Sequence, residues 1–196
     1  MKKTLLFLAL YIVLSSHQSI IKTDPMDNYK KILPTELSEN TTKLISEDWM
    51  LITSGNQEKY NTMTASWGGF GNLWNKNVTF IFVRPQRYTF EFLEKSETYT
   101  LSFFDHAKYK EALTICGTKS GRDVDKIQLA GLTPLIIDSN SIAFTEARII
   151  VECKIVYSDF MKAELIDQSI LKETYPNKDF HKMYIGEIIN MWIKKD

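Results

Sequence analysis

Residues 61–67 read NTMTASW, residues 77–84 read NVTFIFVR, and residues 97–104 read ETYTLSFF. Each run is short, rich in threonine, β-branched or aromatic residues, and bounded by turn formers, as a half-buried strand requires. Gly68, Gly69 and Gly71 follow the first run and are expected to end it. Pro85 stops the second, because proline has no N–H to give a ladder. These runs lie close together in sequence, which favours antiparallel pairing. A parallel doubly wound sheet is excluded, since no long helix alternates with the strands.

Working outward, residues 46–53 (SEDWMLIT) read as an earlier strand, followed by a polar loop, SGNQEKYN. A short helix fits residues 88–95, with Phe90 and Leu93 on one face and Thr89 as a cap. Residues 106–116 suit a second helix with Tyr109, Ala112 and Leu113 on one side and Gly117 placed to end it. Residues 123–130 suggest a further short one. Strands are expected at 135–137, 142–144 and 147–158, and a last one, MYIGEIINMW, within 179–192. Together these make at least six strands with short helices between them. The expected architecture is mostly β: a closed or partly open β-barrel with small helices across its mouth.

With 196 residues, 44% hydrophobic and 24% charged, the chain is of globular composition and of ordinary single-domain size. A formal net charge of +0 gives no electrostatic footprint for nucleic acid. Residues 1–19 form a separate unit. Lys2 and Lys3 precede an apolar run over residues 5–14 and then SSHQS, the pattern of a secretory signal or N-terminal anchor. The expectation is an exported, periplasmic or extracytoplasmic protein whose domain spans residues 20–196, with a cytoplasmic protein as the alternative. Without residues 1–19 the chain keeps 22 basic and 24 acidic residues, a net −2. Any membrane association is expected only through an uncleaved leader. Cys116 and Cys153, in the apolar settings LTICGT and IVECKIV, read as buried free thiols.

The chemistry lies in residues 61–126. A flavin mononucleotide needs charge-assisted donors for a dianionic phosphate, hydroxyl or backbone partners for its ribityl chain, and an apolar slot for its ring. Thr64, Ala65 and Ser66 offer close backbone approach and hydroxyls. Arg84 and Arg87 bracket Pro85, and Thr89 adds a hydroxyl at a helix start, where free N–H groups favour an anion. Lys119, Ser120, Gly121 and Arg122 form a second donor-rich loop. Taken singly, RPQR reads more readily as a solvated turn, TASWGG as an aromatic-packed strand end, and KSGRD as a surface loop. The order of the three along the chain supports the ligand reading.

The chain resembles the flavin reductase family with the FMN-binding split barrel, and within it the flavoredoxin-like branch. The resemblance rests on NTMTASWGGFGNLW (61–74), VRPQRYTFEFLE (83–94), TLSFF (100–104), CGTKSGRDVDK (116–126) and FHKMYIGEI (180–188), and covers roughly residues 28–190. It implies an antiparallel Greek-key split barrel and a homodimer with FMN at the dimer interface. It also implies hydride or electron transfer from NADH, NADPH or an electron-transfer protein through FMN to an acceptor. Carried over, it implies that Thr64, Ala65, Ser66 and Trp67 line the ring and ribityl region, and that Val83 and Arg84 lie along the cofactor. Arg87, Tyr88 and Thr89 then point toward the phosphate, Ser102 and Phe103 form the floor, and Lys119, Ser120 and Arg122 sit at the phosphate or rim. The leader departs from the family, whose members are mostly cytoplasmic.

Other chemistry is weakly supported. His181 with Glu187 matches no metal-site spacing, and two ligands are too few, so no metal is expected. Next to Asp179, His181 reads as a structural hydrogen-bonding residue or a dimer contact. Cys116 lies in an aliphatic flank, which disfavours a thiolate nucleophile. No Ser-His-Asp arrangement appears, and no catalytic side chain is expected, because hydride transfer is the cofactor's own chemistry. The runner-up function is a non-catalytic flavin-binding electron carrier. A small secreted barrel without a cofactor would require the motifs to be accidental.

Overall fold

Strand pairing shows why this chain closes on itself. The structure, a computed structural model, describes residues 24–137 and 140–195. The leader-like residues 1–19 lie outside the described residues. The strands are β1 (Tyr29–Lys31), β2 (Met50–Gly55), β3 (Tyr60–Ala65), β4 (Gly68–Leu73), β5 (Lys76–Val83), β6 (Thr98–Phe103), β7 (Pro134–Ile136), β8 (Ile142–Phe144), β9 (Ile149–Phe160) and β10 (Lys182–Lys194). Short helices intervene: α1 (Thr41–Ser46), α2 (Tyr88–Leu93), α3 (His106–Thr118), α4 (Lys126–Leu129) and α5 (Gln168–Thr174).

The main sheet runs β3-β2-β6-β9-β10-β5-β4, with β1 added on β10, and every pairing is antiparallel. Laid flat, six strand spacings would hold β3 and β4 about 29 Å apart. Yet only Ser66 and Trp67 separate them in sequence, and three Cα steps reach about 11 Å. The sheet therefore curls until its two edges meet at that corner without zipping along their length. This is a Greek-key antiparallel barrel that is split rather than closed. β7 and β8 form a separate two-stranded ribbon.

Both faces of the central strands are buried, so their residues alternate between two cores. Met50, Ile52, Leu101, Phe103, Ile149 and Val151 fill the barrel. Leu51 and Ile150 point the other way and join Leu113, Cys116, Phe144 and Trp192 in a second layer beneath α3 and the β7–β8 ribbon.

Four local expectations are corrected. Gly68, Gly69 and Gly71 do not end a strand; they lie within β4. A Cβ on Gly68 would stand 2.5 Å from the Phe80 carbonyl oxygen, and one on Gly71 would stand 3.0 Å from the Phe80 ring, so the glycines mark close approach. Gly117 lies inside α3, where an added Cβ would touch Thr64 at 3.4 Å; it lets the helix sit flat on β3. Residues 41–46 are helical, and the strand begins only at Met50, after a turn in which Trp49 takes φ 62°. Arg87, not Thr89, occupies the N-cap of α2.

Candidate functional site

The split leaves a groove of about 260 Å³ at the corner where β3 passes to β4. It is lined by Met63, Thr64 and Ala65 from the end of β3, by the linking Ser66 and Trp67, by Phe82 of β5, and by Arg84, Arg87 and His181. Thr64 Oγ1 donates to the Leu113 carbonyl at 2.5 Å, which pins this corner to α3. Small side chains at residues 64–66 keep the wall low. Trp67, half exposed, stands with its ring 5.0 Å from that of His181.

One end of the groove is held by charged contacts within the protein, with Asp179 Oδ1 the one atom there left buried without a hydrogen-bond partner among the described residues. The Arg84 guanidinium bonds the Asp179 carboxylate, donates to the Thr174 carbonyl at 3.1 Å and to His181 Nε2 at 3.4 Å, and lies 5.4 Å over the Tyr175 ring. Gln86 also donates to Asp179, at 2.8 Å. These bonds, Gln86 first, hold the Asp179 carboxyl below its ordinary range. Tyr175 OH meets His181 Nδ1 at 2.9 Å, so both imidazole nitrogens are engaged. Burial, reinforced by the Arg84 charge, pushes His181 down to about 4, and the ring is neutral at pH 7.

The other end is incomplete. The Arg87 side chain has no hydrogen-bond or ion-pair partner among the described residues, and burial lowers its pKa. Outside the groove, Lys126 lines a second hollow with Glu58, Asp123 and Asp125; it is only 3% exposed and reaches the carbonyls of Cys116 and Lys119 at 3.4 and 3.5 Å. Burial pulls its pKa down to about 8, and the Arg87 charge adds to that effect. Two cations near enough to feel each other's charge have been desolvated, and neither has an ion-pair partner among the described residues. Such an arrangement is costly until an anion completes it.

Of the residues expected from sequence, Thr64, Ala65, Ser66, Trp67, Arg84 and Arg87 converge on this groove. The others do not line it. Val83 and Phe103 are buried in the barrel core. Ser102 is fully buried, its Oγ without a partner, and pairs in register with Leu51 and Ile150 of the second layer. Thr89 is buried and accepts a bond from Asn61 Nδ2 at 2.7 Å. Tyr88 carries Arg122 over its ring at 4.6 Å. Arg122 also donates to Glu91 at 2.5 Å and to the Gln86 carbonyl at 3.2 Å, so its charge is already engaged. Lys119 is exposed and ends α3, and Ser120 Oγ accepts from Arg122 N within its own loop.

Sequence reasoning missed Lys126 and Phe82, and it treated His181 as a structural residue or a dimer contact, not as part of the groove. Lys126 did lie within the quoted CGTKSGRDVDK run, but nothing local distinguishes a lysine at a helix start that becomes buried. Both cysteines are free and buried, with thiols pushed up to about 11 (Cys116) and about 12 (Cys153). Among the described residues no three His, Cys, Asp or Glu side chains group to hold a metal, and no helix is long and apolar enough to cross a membrane.

A split antiparallel barrel with a groove at its seam is one recognisable class of fold. Residues 43–196 match the flavin reductase like domain, and the chain belongs to that family. Solved structures share the fold. The FMN-binding domain of a flavin reductases-like enzyme from Shewanella baltica aligns over 85% of this chain and 78% of its own, with 16% identity and a TM-score of 0.61. Flavoredoxin of Desulfovibrio vulgaris aligns over 85% and 77%, at 20% identity and 0.59. An NADH:FAD oxidoreductase from Streptomyces globisporus aligns over 74% and 73%, at 15% and 0.57. A comparison with curated proteins found no match.

Proposed function

We propose that the chain is an FMN-dependent oxidoreductase of the flavin reductase type. It takes hydride or electrons from a reduced nicotinamide or a protein donor and passes them to an acceptor. The observation that carries this reading is Arg87, a desolvated cation without a partner among the described residues in the lining of a low-walled groove, with the likewise desolvated Lys126 within range of its charge. A phosphate dianion supplies the missing charge through charge-assisted bonds. Arg87 and Lys126 would hold that phosphate, and Thr64, Ala65, Ser66, Trp67 and Phe82 would line the ring. The flavin, when bound, supplies hydride acceptance, which none of these side chains can provide. The protein's own part is to bind, orient and exclude water. His181 is uncharged and committed on both nitrogens, so it fixes Arg84 and Tyr175 and offers no mobile proton at neutral pH.

The leader pattern of residues 1–19 favours a second reading, an exported flavin-binding electron carrier of flavoredoxin type, since nicotinamides are cytoplasmic. A homodimer is part of either reading. Phe82 joins the groove to a neighbouring hollow bearing exposed Tyr157, Phe160 and Leu165, an apolar surface suited to a second copy. The test begins with purified protein and its flavin absorbance near 450 nm (order of magnitude, from flavin chemistry). Protein that is colourless and takes up no added FMN sinks both readings. Anaerobic NADH or NADPH that bleaches the bound flavin selects the enzyme, and unchanged colour selects the carrier.

A further inference from the structure

We propose that Arg122 is a positioning residue, clasping the loop of residues 119–125 to α2 and thereby setting how fast a phosphate-bearing ligand leaves the Arg87–Lys126 pair. The inference rests on the flavin reading above. Arg122 reaches three partners on or just before α2: the Gln86 carbonyl, the Glu91 carboxylate and the face of Tyr88. The same loop is seated a second time at Gly121. A Cβ there would stand 2.1 Å from Asn61 Oδ1, and Asn61 in turn donates to Thr89 of α2. The loop leads directly into Lys126, the first residue of α4, whose N-cap Asp125 accepts from the backbone N–H groups of Ile127 and Gln128. Lifting the loop therefore moves Lys126 away from Arg87.

The clasp is exposed, at 41% for Arg122 and 46% for Glu91, so it is weak and opens often. Nothing ties Arg122 to the anion itself, because its donors already point at α2. Clasp and ligand contact are therefore separable by experiment. In a clasp, removing either partner has the same effect; in a phosphate contact, only Arg122 matters.

FMN and riboflavin dissociation are followed by stopped-flow flavin fluorescence for the wild type, Arg122→Ala, Glu91→Gln, and the exchanged pair Glu91→Arg with Arg122→Glu. Both single variants are expected to release FMN about three- to tenfold faster, the size of an exposed ion pair with ring stacking. The exchanged pair is expected to recover most of that loss, and riboflavin, lacking a phosphate, to leave all four proteins alike. Faster release in Arg122→Ala alone overturns the clasp and makes Arg122 a ligand contact. FMN release unchanged in every variant, with a wild type that binds FMN, overturns the inference alone. A wild type that binds neither flavin overturns the flavin reading and the clasp with it.

Discussion

Arg84 and Arg87 flank the same proline and line the same groove, yet they are in opposite states. Arg84 is spent on Asp179, Thr174, His181 and Tyr175. Arg87 has no acceptor among the described residues, and its charge and that of Lys126 repel each other. A charge satisfied within the protein stabilises the fold and shapes the groove. A charge left unsatisfied costs stability and is repaid only when a ligand arrives. The two ends thus divide the work: one is architecture, the other is affinity.

The sharpest way to break this contrast is at the incomplete end. Arg87→Ala is expected to weaken FMN binding by roughly 10- to 150-fold, the loss of a charge-assisted contact worth about 1.5–3 kcal/mol. Lys126→Met should weaken FMN similarly while raising apoprotein stability by about 1 kcal/mol, because it removes a buried charge with no counter-ion. Titration calorimetry and urea unfolding measure the two effects. A Lys126→Met apoprotein that is less stable than wild type contradicts the assignment.

At the complete end the signs reverse. Asp179→Ala strands Arg84 and is expected to lower unfolding stability, with FMN affinity shifted less than about threefold. Loss of FMN binding in a folded Asp179→Ala protein would show that the two ends are not separable.

The gentlest probe is pH. Lys126 holds its proton less tightly folded than unfolded, so the unfolded chain binds more protons between about 8 and 10.5, and apoprotein stability rises across that window. FMN affinity should fall over the same range, by several-fold, as the lysine loses its charge. His181, down to about 4 from 6.5, is also more easily protonated unfolded, so stability is lost as pH falls from 6.5 toward 4, by about 3 kcal/mol. Stability curves at fixed ionic strength, with and without FMN, test both directions.

The ring side of the site was legible because its residues are consecutive. TASW is a strand end followed by a two-residue link, and RPQR is a single turn, so local spacing already brings them near one another. The rest was hidden by tertiary effects. Lys126 is buried by the end of α3, ten residues away from Cys116, whose carbonyl it reaches. Arg122 looked like a phosphate ligand because nothing local reveals that Glu91 and Tyr88 sit opposite it. In the fold, the β-branched and aromatic runs of β5 and β6 announced buried strands correctly. The glycines of β4 misled, because a glycine that permits close packing reads in sequence like one that ends a strand. Helix α5 escaped notice since none of its residues is buried and no apolar stripe marks it.

The split seam has one more consequence, for behaviour at high concentration. An open sheet normally leaves two unpaired edges, each a template on which another chain can add a strand and begin to aggregate. Here α2 and α3 pack against β3, and α1 packs against β4. The barrel can thus stay open at the groove while these helices stand against both of its edge strands and hinder self-association through its sheet.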